Sequence, residues 1–135
     1  MIVGVGLDIE EVSRFETIRV KRPGLIAGVF TLRERELFES DDDPARGYCS
    51  AFALKEAAFK ALGQGWLESS LFWTDIELLG PQLCGSPEVL LSGAAHQRCK
   101  ELGIDRVQAV LDSSNAVVVA QIWLLSDDGP ASHLD

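Results

Sequence analysis

The chain has only three cysteines among its 135 residues, Cys49, Cys84 and Cys99. They are odd in number and widely spaced, which excludes a disulfide framework and a CxxC metal site. Buried or incidental thiols are expected. Long hydrophobic runs are also missing, and none reaches the length that spans a bilayer. The first residues, MIVGVGLDIEE, have no basic region and meet Asp8 and Glu10 at once, so they do not read as a secretory signal. Together these absences predict a cytoplasmic protein with no membrane partner. Positive charge is scarce as well. Twelve Lys and Arg stand against 21 Asp and Glu, a net charge of −9, which argues against a nucleic-acid surface.

What is present suits one globular domain. The hydrophobic fraction is 47%, enough for a core, although a chain of this size often supplements its burial by oligomerisation. Residues 1–125 are expected to form the domain. Residues 126–135, SDDGPASHLD, read as a polar tail in which His133 is inert. The few basic residues are unevenly placed. Arg14, Arg19, Lys21 and Arg22 cluster near the start, while Asp41, Asp42 and Asp43 form an acidic run. A solvated face is the ordinary reading of either cluster. The basic one is also the natural place for an acidic partner to dock, because opposite charge steers encounter.

Residues 2–7 predict a strand in which Gly4 and Gly6 let something pack close. A helix follows over residues 10–20. Thr31 with Glu34 three positions later is a capping-box pattern for a helix reaching Glu39. The main helix runs from Pro44, suited to a first turn, to Leu62, with Gly63 as its stop. Tyr48, Phe52, Phe59 and Leu62 should face the core. Cys49, Ala53, Glu56 and Lys60 share an adjoining face. Strands are expected at 72–79, 88–92, 106–111 and 116–125, with a helix over 92–102 ended by Gly103. This order of elements predicts an α+β fold with an antiparallel β-sheet packed against the long central helix.

Several residues suggest chemistry. Asp8 ends the glycine strand, where a carboxylate can face a ligand or simply start a helix. Glu56 and Lys60 lie one helical turn apart, the spacing of an ordinary ion pair. Their surroundings are rich in alanine, which allows close approach by a neighbour. Mg²⁺ takes only one or two protein carboxylates and completes its sphere with water and phosphate. Asp8 and Glu56 would therefore suffice, with Lys60 neutralising phosphate charge. Lys55 points to another face, toward solvent or a phosphate. The Gly63-Gln64-Gly65 turn offers backbone N–H groups to a phosphate, although helix termination already explains Gly63. Phe72 and Trp73 read as core strand residues.

In combination these segments resemble the phosphopantetheinyl transferases of the holo-acyl-carrier-protein synthase type. GVGLDIEEVSRFE (4–16) is similar to the family's first signature and ALKEAAFKALGQG (53–65) to its second. FTLRERELF (30–38), TDIELL (74–79) and GSP (85–87) fall in the expected places. The resemblance covers about residues 2–125. It implies transfer of the 4′-phosphopantetheine arm of coenzyme A to a serine of an apo-acyl carrier protein. It further implies Mg²⁺ on Asp8 and Glu56 and charge stabilisation by Lys60. Lys55, Lys60, Gly63, Gly65 and Pro87 would contact coenzyme A, and Arg14 would engage the acidic carrier. A homotrimer with active sites between subunits is implied too. The chain departs from the family pattern at Ala51, where arginine is common, and at Leu111, where histidine or aspartate is common. A weakened relative that binds coenzyme A or carrier protein without turnover is the alternative those positions motivate.

Overall fold

The computed structural model describes residues 1–63, 71–80 and 85–127. Gln64 and Gly65 of the proposed phosphate turn, Cys84, and His133 with the tail from residue 128 lie outside the described residues. The order is β1 (Ile2–Glu11), α1 (Val12–Lys21), α2 (Pro23–Val29), α3 (Leu32–Glu39) and α4 (Pro44–Ala61). A 3₁₀ turn (Trp73–Asp75) leads into β2 (Ile76–Leu78), followed by β3 (Val89–Leu91), α5 (Gly93–Glu101), β4 (Arg106–Ser113) and β5 (Val117–Leu125). The fold is α+β, with both sheets antiparallel. Strands β1, β5 and β4 form one sheet in that order, and β2 pairs with β3 in a second.

The larger sheet packs one face on α4. Alternation along β5 buries Val118, Ala120, Ile122 and Leu124 against the helix. Side-chain size on both elements sets how close β1 can come. A Cβ on Gly6 would lie 1.7 Å from the Ala57 carbonyl oxygen, and one on Gly4 would lie 2.2 Å from that of Ala61. The two glycines and the alanine stripe therefore place backbone directly on backbone.

Three elements differ from the sequence reading. β1 continues through Glu11, well past residue 7, because Asp8, Ile9, Glu10 and Glu11 stay paired with Ala120, Val119, Val118 and Val117 of β5. The segment 72–79 is a 3₁₀ turn before a three-residue strand, with the Asp75 carboxylate accepting from the Phe72 N–H. α2 had no counterpart in the prediction. It starts on Pro23 and buries Ile26 and Val29, against α1 and the 3₁₀ turn. The predicted capping box of α3 is present, Thr31 Oγ1 accepting from Glu34 N and Glu34 Oε1 from Thr31 N. Among the described residues no helix is long and apolar enough to cross a membrane.

Candidate active site

The long β1 determines the site. Alternation sends Gly4, Gly6, Asp8 and Glu10 to the α4 side and Val5, Leu7 and Ile9 to the other. Gly6 lies over Ala57 and Gly4 over Ala61, so two strand residues match one helical turn. Continuing that match brings Asp8 and Glu10 alongside the preceding turns of α4. Lys60 reaches back from the next turn. Its Nζ donates to Asp8 Oδ1 at 3.1 Å and to the Leu7 carbonyl at 2.9 Å.

Asp8 is left half-used by these contacts. Its side chain is mostly buried, and Oδ2 accepts from no permanently charged or backbone donor; the Glu10 carboxyl bonds to Asp8 only when it is protonated. A buried carboxylate oxygen without a fixed donor is costly, and a cation would satisfy it. Glu56 is half-buried nearby, and its carboxyl is pushed above the usual range, first by burial and then by the Asp8 charge. Among the described residues no three His, Cys, Asp or Glu side chains converge as a closed cage. A carboxylate pair with an open side fits a hard cation that keeps water and phosphate as its other ligands. On the orphaned Asp8 oxygen and the all-oxygen donor set, the residues fit Mg²⁺.

Glu10 was overlooked by the sequence reading. The predicted helix starts at Glu10, but Glu10 is a strand residue on the same face as Asp8. Burial, then a hydrogen bond to the Asp8 carboxylate and the repulsion of its charge, raises its pKa to about 7. It accepts from Arg14 Nη1 at 3.1 Å. The period-two pattern Gly4-Gly6-Asp8-Glu10 was the available signal. Arg14 is half-exposed, and its guanidinium carbon lies 5.9 and 5.8 Å from the Phe15 and Phe52 ring centroids. Between Arg14 and Glu56 opens a largely apolar pocket of about 430 Å³, its walls including Phe15, Ile18, Phe52 and Trp73.

The remaining predicted residues lie elsewhere. Lys55 is not at a phosphate-facing surface. One residue before Glu56, it is turned about 100° around the helix and is 1% exposed. Its Nζ donates to Glu34 Oε1 at 2.9 Å and to the carbonyls of Trp73 and Ile76. Pro87 is buried, and the backbone of Gly85 pairs with that of Leu111 in β4. Gly63 adopts φ +74° as the stop of α4. Ala51 and Leu111, the departures from the family pattern, are both core residues. In the basic cluster, Arg19 is spent on a bidentate contact with Glu39.

A carboxylate pair on a glycine strand and a long helix, with a lysine one turn on, has the chemistry to hold a hard cation against a phosphate. Residues 4–120 match the family described as the 4′-phosphopantetheinyl transferase superfamily, and the chain belongs to it. More particularly, it is 35% identical over 125 residues to a holo-[acyl-carrier-protein] synthase of Geotalea daltonii, covering 92% of this chain and 98% of the relative. The crystal structure of the holo-[acyl-carrier-protein] synthase of Neisseria meningitidis is similar at TM-score 0.80 and 26% identity, over 93% of this chain and 100% of that one. That of a Bacillus anthracis synthase in complex with coenzyme A (3′,5′-ADP) is similar at TM-score 0.73 and 27% identity, over 94% and 99%.

Proposed function

We infer that the chain is a holo-[acyl-carrier-protein] synthase, moving 4′-phosphopantetheine from coenzyme A to a serine of apo-acyl carrier protein. The observation that carries the assignment of its site is the buried Asp8 oxygen without a fixed donor, on a carboxylate close enough for its charge to raise the Glu56 carboxyl. In the reaction the serine oxygen forms a bond to the phosphorus next to pantetheine. The pyrophosphate bridge breaks, and adenosine 3′,5′-bisphosphate leaves. Asp8 and Glu56 would hold Mg²⁺, which would supply positive charge to offset that of the pyrophosphate. Lys60 adds a second positive charge at the same place, its exposed ammonium already tethered to Asp8. Arg14, held by Glu10, faces the carrier, with Lys21 and Arg22 of the basic cluster extending the attraction.

Several further points support the reading. The outer face of the larger sheet exposes Val5, Leu7, Ile9 and Val110. We read that apolar face as covered by neighbouring copies of the chain in a homotrimer, the assembly the family resemblance implies. Cys49 is kept as an inert thiol, pushed up to about 12 by burial and then by the Glu10 charge, and the assignment belongs in the cytoplasm.

The test is a mass measurement on the carrier. With coenzyme A and Mg²⁺, an apo-acyl carrier protein should gain one phosphopantetheine. Asp8→Asn or Glu56→Gln should abolish the gain while leaving the fold intact. No gain with any of several carriers, the one from the same host included, would contradict the assignment. Coenzyme A binding without any gain would identify a binding module.

A further inference from the structure

The buried Glu34–Lys55 pair has no role in the chemistry above, and its geometry is complete. Both side chains are essentially without solvent exposure, at 0% and 1%. Every Lys55 donor has an acceptor, in Glu34, the Trp73 carbonyl and the Ile76 carbonyl. The Glu34 carboxylate is filled likewise. Oε1 accepts from Lys55 and from the Thr31 N–H, and Oε2 accepts from the Leu78 N–H at 3.0 Å. Four elements therefore meet on two side chains: the start of α3, the middle of α4, the 3₁₀ turn and β2.

Three of those bonds end on the short segment from Trp73 to Leu78. Trp73 is one wall of the pocket between Arg14 and Glu56. Its ring stacks on Phe52 with centroids 5.1 Å apart and meets Phe59 edge-on at 4.9 Å. The backbone that carries this ring is bonded to the residue immediately before Glu56.

We propose that Glu34 and Lys55 are positioning residues, a buried clamp that fixes the Trp73 wall relative to Glu56 and so shapes the acceptor side of the site. The proposal rests on the functional reading above, in which Arg14 meets the carrier and Glu56 the phosphate. The space between them then belongs to the incoming carrier. The clamp never touches coenzyme A. It acts on how the carrier fits.

This assignment differs in measurable ways from a phosphate-binding role for Lys55. In Lys55→Met, Glu34→Gln and the double variant, KM for the carrier should rise about tenfold by the same amount in each, because each breaks the same clamp. The dissociation constant for coenzyme A should stay within about twofold of wild type. Trp73→Ala, which leaves the ion pair in place, should reproduce the carrier effect. If a single variant leaves one buried charge and does not fold, the double variant, with no lone charge, carries the measurement. Loss of coenzyme A affinity in Lys55→Met but not in Glu34→Gln would overturn the proposal in favour of a phosphate ligand. Unchanged carrier KM in Trp73→Ala would overturn it as well. The functional reading fails separately, by absence of transfer in the wild-type chain. In that event the fluorescence of Trp73, isolated by Trp66→Phe and Trp123→Phe, tests the clamp directly, since its emission should shift equally in all three clamp variants and an unshifted spectrum would refute it.

Discussion

Two lysines five residues apart on α4 make two ion pairs of opposite character. Lys55 meets Glu34 in the interior with every polar valence filled. Lys60 meets Asp8 at the surface, half-exposed, and leaves one buried oxygen of its partner without a fixed donor. Burial forces completeness, because a lone charge inside is expensive. An incomplete set beside solvent retains capacity for a ligand. The comparison separates structural charge from chemical charge on one helix, where sequence alone shows two lysines flanking a glutamate.

The comparison predicts sharply different costs. Lys55→Met should destabilise the fold by about 3–5 kcal/mol, by stranding the Glu34 carboxylate. Lys60→Met should cost no more than about 1 kcal/mol, because its pair is open to water. Activity should follow the opposite order. Lys60→Met should lower kcat by on the order of 10²-fold. Urea unfolding with parallel transfer assays checks both; equal stability losses would erase the distinction.

Next in size is Gly6→Ala. The added carbon would meet the Ala57 carbonyl at 1.7 Å, so β1 has to move off α4, at a cost of about 1–3 kcal/mol. Asp8, two residues on, moves with it. Activity should therefore fall more than the stability change explains, with part of the loss regained at raised Mg²⁺. A fully active Gly6→Ala protein would show that the close approach is dispensable to the site.

The smallest effect concerns pH. The Glu10 carboxyl is raised to about 7, by burial and then by Asp8. Between its ordinary value near 4.5 and about 7 the folded chain holds more protons than the unfolded one, so stability falls as pH rises through that window. In chelator-treated protein Glu10→Gln should remove this slope, leaving the variant the more stable of the two above about pH 7. Parallel melting curves of the two proteins from pH 5 to 8 would refute the shift.

Much of this site was legible beforehand, and the misses have physical causes. Asp8, Glu56 and Lys60 stood in segments whose glycine and alanine content signalled close packing. The α4 boundaries followed from Pro44 and Gly63, and the capping box from Thr31 and Glu34. Glu10 was missed because strand pairing with β5 carries β1 four residues further than local propensity suggests. Lys55 was misplaced because its partner is distant in sequence. Nothing local announces that Glu34, a capping-box acid, also turns inward to meet a lysine 21 residues away. α2 was invisible for a related reason, since its helicity rests on Pro23 and on tertiary burial of Ile26 and Val29 rather than on propensity.

The central claim is that Asp8 and Glu56 together hold a divalent ion. Mn²⁺ titration followed by electron paramagnetic resonance, with coenzyme A present, measures this directly. The account predicts one saturable ion per chain, lost in Asp8→Asn and in Glu56→Gln and retained in Lys60→Met, where Asp8 is freed from its ammonium. An Asp8→Asn protein that binds Mn²⁺ as tightly as wild type would contradict it.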